Sequence, residues 1–142
     1  MTEKEEMSER ELAINVQILQ EQAKILAQNV EMLAMYLQEL MTAKATLEGI
    51  KEMEKGDEIL VPIGASSFIH ACIENTQNVI VGIGAAYSTD KTVDQAVENI
   101  QQQITLTESR IRENQETYAQ VAAKLEELSA EAQTRLEKRE YV

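Results

Sequence analysis

Residues Glu58 to Lys91 read EILVPIGASSFIHACIENTQNVIVGIGAAYSTDK, and how this stretch folds decides what the rest of the chain can be. It holds the only proline, cysteine, histidine and phenylalanine, and every glycine except Gly49 and Gly56. Short apolar runs alternate in period two and are separated by turn residues, which is the pattern of strands rather than helix. Strands are expected over Ile59 to Ile63, Ser67 to Ile73, Asn78 to Ile83 and Ala85 to Lys91, making two β-hairpins in succession. Pro62 donates no ladder hydrogen bond, so the first strand should be an edge or carry a bulge. In the second strand Ile69, Ala71 and Ile73 share one face and Phe68, His70 and Cys72 the other. In the third, Val79, Val81 and Ile83 are aligned.

Both flanks have helical periodicity. Ser8-Glu9-Arg10-Glu11 has the form of a capping box, with Met7 and Leu12 placed as a hydrophobic staple. Apolar residues then follow a 4,3 alternation: Leu12, Val16, Leu19, Ala23, Leu26, Val30, Leu33, Leu37, Leu40, the polar Lys44, and Leu47. Gly49 and then Lys55-Gly56-Asp57 should end a helix about 65 Å long, at 1.5 Å per residue. Thr92-Val93-Asp94-Gln95 is a second capping box. A matching seam follows it through Val93, Val97, Ile100, Ile104, Thr107, Ile111, Asn114, Tyr118, Val121, Leu125, Leu128 and Ala132. If the insert turns the chain back, antiparallel layers pair where residue numbers sum to roughly 140 to 144 by heptad matching. Leu12 then meets Leu128 or Ala132, and small Ala23 falls opposite large Tyr118.

The expected fold class is therefore mainly α with a small β insert: a long antiparallel two-helix coiled coil joined by two β-hairpins. We expect one domain over residues 1–142, with the first coiled-coil helix at 8–55, the hairpins at 58–91 and the second helix at 93–138. Two short hairpins bury little alone and leave open edges, so they should be completed by strands of other chains.

Composition narrows function. The 142 residues have no tryptophan and one phenylalanine, so the chain must bury its apolar side chains along seams rather than in a globular core. A net charge of -12 without a Lys/Arg cluster argues against nucleic acid and anionic membranes as partners, since both need basic patches. One cysteine, Cys72, fits a reducing compartment. The opening residues are charged where a secretory leader would be apolar, and no run approaches the roughly 20 apolar residues of a membrane span. A cytoplasmic chain is expected.

Chemistry is poorly represented. Gly82-Ile83-Gly84-Ala85-Ala86-Tyr87 has part of a dinucleotide fingerprint, but Tyr87 replaces its third glycine and no βαβ unit surrounds it. His70 and Cys72 share a strand face, yet a tetrahedral metal site would need ligands from other subunits. Paired carboxylates such as Glu126-Glu127 sit in charged helices and read as solvated surface. No catalytic residue, metal or cofactor is expected. The informative feature is instead a surplus. With Leu12 at heptad position d, Ile18, Ile25 and Met32 fall at c, and Ile14 and Met35 at f, away from the seam. This second stripe reads either as packing for another helix or as an adaptable surface for unfolded chains, to which methionine is suited. The second helix offers only Leu106 at such a position.

The blocks Leu60 to Ile69 (LVPIGASSFI) and Val79 to Gly84 (VIVGIG), between two heptad helices, resemble the α class of prefoldin, over about Ser8 to Ala132. The resemblance implies a hexamer of two α-class and four β-class subunits. Their hairpins join an oligomeric double β-barrel body from which coiled coils hang. It implies an ATP-independent chaperone, a holdase that captures non-native proteins at the coiled-coil tips and passes them to a group II chaperonin, in archaea or the eukaryotic cytosol. By position, the tips map to Met7 to Leu19 and Leu125 to Val142. Expected client-binding residues are Met7, Leu12, Ile14, Ile18, Ile25, Met32, Leu128 and Leu136, the stripe extending well beyond the tips. Expected oligomerisation residues are Leu60, Val61, Ile63, Phe68, Ile69, Ile73, Val79, Val81 and Ile83. The competing readings are a coiled-coil scaffold with the stripe permanently covered, a divergent prefoldin-like assembly without client transfer, and an RNA-docking arm, which the acidic charge disfavours.

Overall fold

The computed structural model of the protein describes residues 8–140. The elements in order are α1 (Glu9–Lys51), β1 (Glu58–Gly64), β2 (Ser67–Cys72), β3 (Asn78–Gly84), β4 (Tyr87–Thr92) and α2 (Val93–Glu140). Two long helices thus enclose a two-hairpin antiparallel insert. Among the described residues no helix is long and apolar enough to cross a membrane.

The caps explain where the helices start. The Glu11 amide donates to Ser8 Oγ at 3.2 Å; Met7, the other half of the expected staple, lies outside the described residues. At α2 the box is reciprocal: the Gln95 amide donates to Thr92 Oγ1 at 3.1 Å and the Thr92 amide to Gln95 Oε1 at 3.2 Å, so two otherwise unpaired donors are satisfied. α1 stops at Lys51, four residues before the expected end at Lys55. The reason is local. Beyond Gly49 the amides of Glu52 and Met53 bond three residues back, to Gly49 and Ile50, and this tightening exhausts the helix. A turn closed by the Glu54 amide on Asp57 Oδ2 at 2.9 Å then leads into β1, with Gly56 at a φ of 95°.

The hairpins are two separate antiparallel sheets, β1 with β2 and β3 with β4. Each closes with a two-residue loop, Ala65-Ser66 between Gly64 and Ser67, and Ala85-Ala86 between Gly84 and Tyr87. The fourth strand accordingly starts at Tyr87 and not at Ala85. β2 ends at Cys72, one residue before Ile73, which bonds instead through its amide to the Asp57 carbonyl and through its carbonyl to the Gly56 amide. The two hairpins repeat one another. Every paired position of the second lies 20 residues beyond its counterpart (Asn78 against Glu58, Thr92 against Cys72), and both ladders slip at the same place, Pro62/Gly64 and Gly82/Gly84.

The chain divides into two compact units, one of residues up to Met35 with those from Glu108, the other Tyr36–Thr107. In the first unit Leu12 and Leu128 are buried, and Val16, Leu19, Ala23, Leu26, Val30 and Leu33 are half-buried. In the second, Leu40, Val93, Ala96, Ile104 and Thr107 are buried. Helix pairing there is antiparallel: Tyr36 Oη donates to Gln103 Oε1 at 2.9 Å, Lys44 Nζ to Gln101 Oε1 at 2.7 Å, and Lys51 pairs with Asp94. The residue numbers of these pairs sum to 139, 145 and 145, bracketing the expected register.

Candidate functional site

Two surfaces stand out, one in each unit. In the first unit the α1 face away from the seam is apolar and open. Ile14, Ile18 and Ile25 are about half exposed, Met32 68% and Met35 70%. Every expected seam residue of α1 is at least half-buried, so the seam is satisfied without the stripe. A helix that keeps apolar side chains in water beside a complete seam has a surface to spare.

Two of the expected client-binding residues do not belong to that surface. Leu12 and Leu128 are only 2% and 5% exposed; they are seam residues, and their side chains are spent on helix pairing. Met7 lies outside the described residues. Leu136 is exposed. The exposed apolar surface of this unit therefore starts within the helix ends, at Ile14, Ile18 and Leu136, and continues along α1 through Ile25, Met32 and Met35.

The second surface is the hairpin pair. Leu60, Ile63, Phe68, Ile69 and Ile83 are exposed, whereas Val61, Ile73, Val79 and Val81 are half-buried. In the first hairpin Val61 pairs with Ile69 on one face, and Leu60 stands beside Pro62 and Phe68 on the other. Both faces are apolar, so one covering layer leaves the other face wet. In the second hairpin the run Val79 to Ile83 lines a groove of about 1090 Å³ whose other wall includes Leu40, Ala43, Leu47, Ile100 and Leu106.

Sequence reasoning missed Ile80 and Tyr87, exposed by 77% and 71%. The signal was available: Ile80 occupies in the second hairpin the place of Leu60 in the first.

His70 Nδ1 contacts Glu58 Oε1 at 2.5 Å, with both side chains exposed, and Cys72 is an exposed free thiol. Among the described residues no group of three or more His, Cys, Asp or Glu is placed to hold a metal ion.

Comparison with known proteins agrees with this architecture. A family model described as prefoldin subunit matches residues 19–138. The chain is 37% identical over 123 residues to prefoldin subunit alpha of Pyrococcus horikoshii, covering 86% of this chain and 83% of that one. Among solved structures it resembles a chain of the filamentous PFD from Methanocaldococcus jannaschii, with a TM-score of 0.71, 24% identity, and coverage of 84% of this chain and 98% of that one. It also resembles the prefoldin beta subunit from Thermococcus strain KS-1, with a TM-score of 0.58, 18% identity and coverage of 90% and 91%.

Proposed function

The chain belongs to the prefoldin family, as an α-class subunit of a chaperone complex, and we propose that it works as an ATP-independent holdase that captures non-native proteins on its helical unit and delivers them to a group II chaperonin. The observation that carries this reading is the exposed stripe Ile14, Ile18, Ile25, Met32 and Met35 beside a seam already satisfied. In this reading β-class subunits complete the two hairpins in a cytoplasmic hexamer of two α and four β chains, and neither nucleic acid nor membrane is a partner. Hairpins with apolar side chains on open faces and unpaired edges support assembly through residues 58–91.

Magnitudes favour many weak contacts over one strong site. A large apolar side chain contributes roughly 1.5 to 3 kcal/mol when buried, against an association cost of about 4 to 15 kcal/mol. One helical unit holding two or three such side chains against a client binds weakly. Several units on a common body raise the effective concentration and leave each contact reversible, which a transfer step requires.

The test is truncation of residues 1–19 together with 125–142. The shortened chain should assemble with a β-class partner to the mass of the full complex, and should lose much of its power to suppress aggregation of an unrelated denatured protein at stoichiometric ratio without ATP. Full protection by the truncated complex would transfer client binding away from the helix ends.

A further inference from the structure

The exposed stripe has an internal spacing of its own. Ile14, Ile18, Ile25, Met32 and Met35 fall on the 4,3 series 14, 18, 21, 25, 28, 32, 35, interrupted only by Glu21 and Gln28. All these positions are exposed. α1 therefore carries two heptad seams: one satisfied within its unit, the other open over about 32 Å at 1.5 Å per residue. A heptad-spaced apolar row on a helix is the complement of a second helix, whose side chains enter the gaps between turns.

Backbone chemistry points the same way. Helix α1 has its amides and carbonyls bonded internally, so this face presents no main-chain donors or acceptors to a bound segment. An extended segment lying on the stripe would place part of its own unpaired backbone against apolar side chains. A helical segment brings its backbone already satisfied.

Charge identifies the partner further. Between Leu12 and Gln38 the only charged side chains are Glu21, Lys24 and Glu31, and the exposed flanks of the stripe are amides such as Gln17, Gln22 and Asn29. Charged flanks are what make a coiled coil select one partner and one orientation. In a chain of net charge -12, this face is nearly neutral and selects by shape alone.

We infer that the α1 stripe Ile14, Ile18, Ile25, Met32 and Met35 binds amphipathic, helix-forming segments of non-native proteins in their helical conformation, with little dependence on client charge. This rests on the holdase reading and names the class of segment it takes. The test uses the full-length chain and two labelled synthetic peptides of about 20 residues, one with leucines at 4,3 spacing among Ala, Gln and Ser, the other a shuffle of it without helical spacing. The patterned peptide should bind at least about tenfold more tightly, gain helical circular dichroism on binding, and keep its affinity from low to moderate salt. Ile18→Gln, Ile25→Gln and Met32→Gln combined should erase the preference while leaving the chain's helicity and assembly mass unchanged, and the corresponding Ala triple variant should do the same. Equal affinity for both peptides, with aggregation of a denatured protein still suppressed, overturns this inference and leaves the holdase reading standing. Failure of the unaltered chain, assembled with a β-class partner, to suppress aggregation removes both. A change in the chain's own assembly mass in either triple variant overturns the inference in favour of a second copy covering the stripe.

Discussion

Lys51 Nζ lies 2.5 Å from Asp94 Oδ1, so the last turn of α1 is tied to the first turn of α2. Each charge also suits its own helix, a cation at a C-terminus and an anion at an N-terminus. Both side chains are substantially exposed, which limits the pair to about 0.5 to 1 kcal/mol. Asp94→Asn should lower the thermal midpoint by roughly 2 to 4 °C at low salt, and the difference should shrink in about 1 M salt. A deficit that persists at high salt would show that Asp94 acts through cap geometry rather than charge.

Both hairpin loops place residues with side chains in the left-handed region: Ala65, Ser66, Ala85 and Ala86 have φ of 50°, 58°, 49° and 65°. Such loops favour Asn-Gly, and each other residue there costs about 1 to 2 kcal/mol. Changing Ala85 to Asn together with Ala86 to Gly should raise the denaturant midpoint, by an amount corresponding to about 1 to 2 kcal/mol. An unchanged midpoint would mean that the loop's conformation is imposed by its surroundings at no cost.

Lys44 is the polar interruption of the α1 seam, and its ammonium reaches across to Gln101 at 2.7 Å. A polar group at a seam position fixes register at the expense of stability. Lys44→Leu should therefore stabilise the chain by about 1 kcal/mol and broaden the distance distribution between spin labels on the two helices of this unit. A stabilised variant with an equally narrow distribution would assign register to the hairpins alone.

Val81 is half-buried, pairs with Thr89, and faces the groove. Val81→Asp puts a carboxylate on the apolar face of β3, where its desolvation would cost several kcal/mol. Light scattering should show loss of assembly with a β-class chain, while far-ultraviolet circular dichroism retains most of the helical signal. Assembly of normal mass would locate the interface on strand edges instead of on this face.

The seams were legible because heptad spacing is a long, redundant signal. Every α1 seam position named from the sequence is at least half-buried, and among the α2 seam positions only Tyr118 is exposed, by 41%. A phenol packs its ring and keeps its hydroxyl wet, so exposure at a seam position is in character for tyrosine. The misses are local. Ala96, 1% exposed, was passed over because alanine gives no strong periodic signal. Its burial comes from the hairpin end of the unit, where it also lines the groove under β3. The start of β4 was misplaced because Ala85-Ala86 carries none of the residues that announce a left-handed loop. Leu12 and Leu128 show a different ambiguity: the spacing that puts them at the helix ends also puts them in the seam, where both are buried.

The twinned hairpins also imply an order of events when the chain folds. Each closes on a two-residue loop, a purely local search completed in roughly 1 to 10 μs. The cross-helix partners Tyr36 and Gln103 of unit two, by contrast, stand 67 positions apart, and bringing them together from an open chain carries a larger entropic penalty. Once both hairpins have formed, the connection between Lys51 and Asp94 is contracted, and the helices meet as the ends of a short tether. Pairing is then expected to spread outward from Lys51 and Asp94. The ladder slips at Pro62/Gly64 and Gly82/Gly84 fall at the same place in both hairpins, so the same local step occurs twice, and damage to either loop should delay helix closure without altering the seam itself.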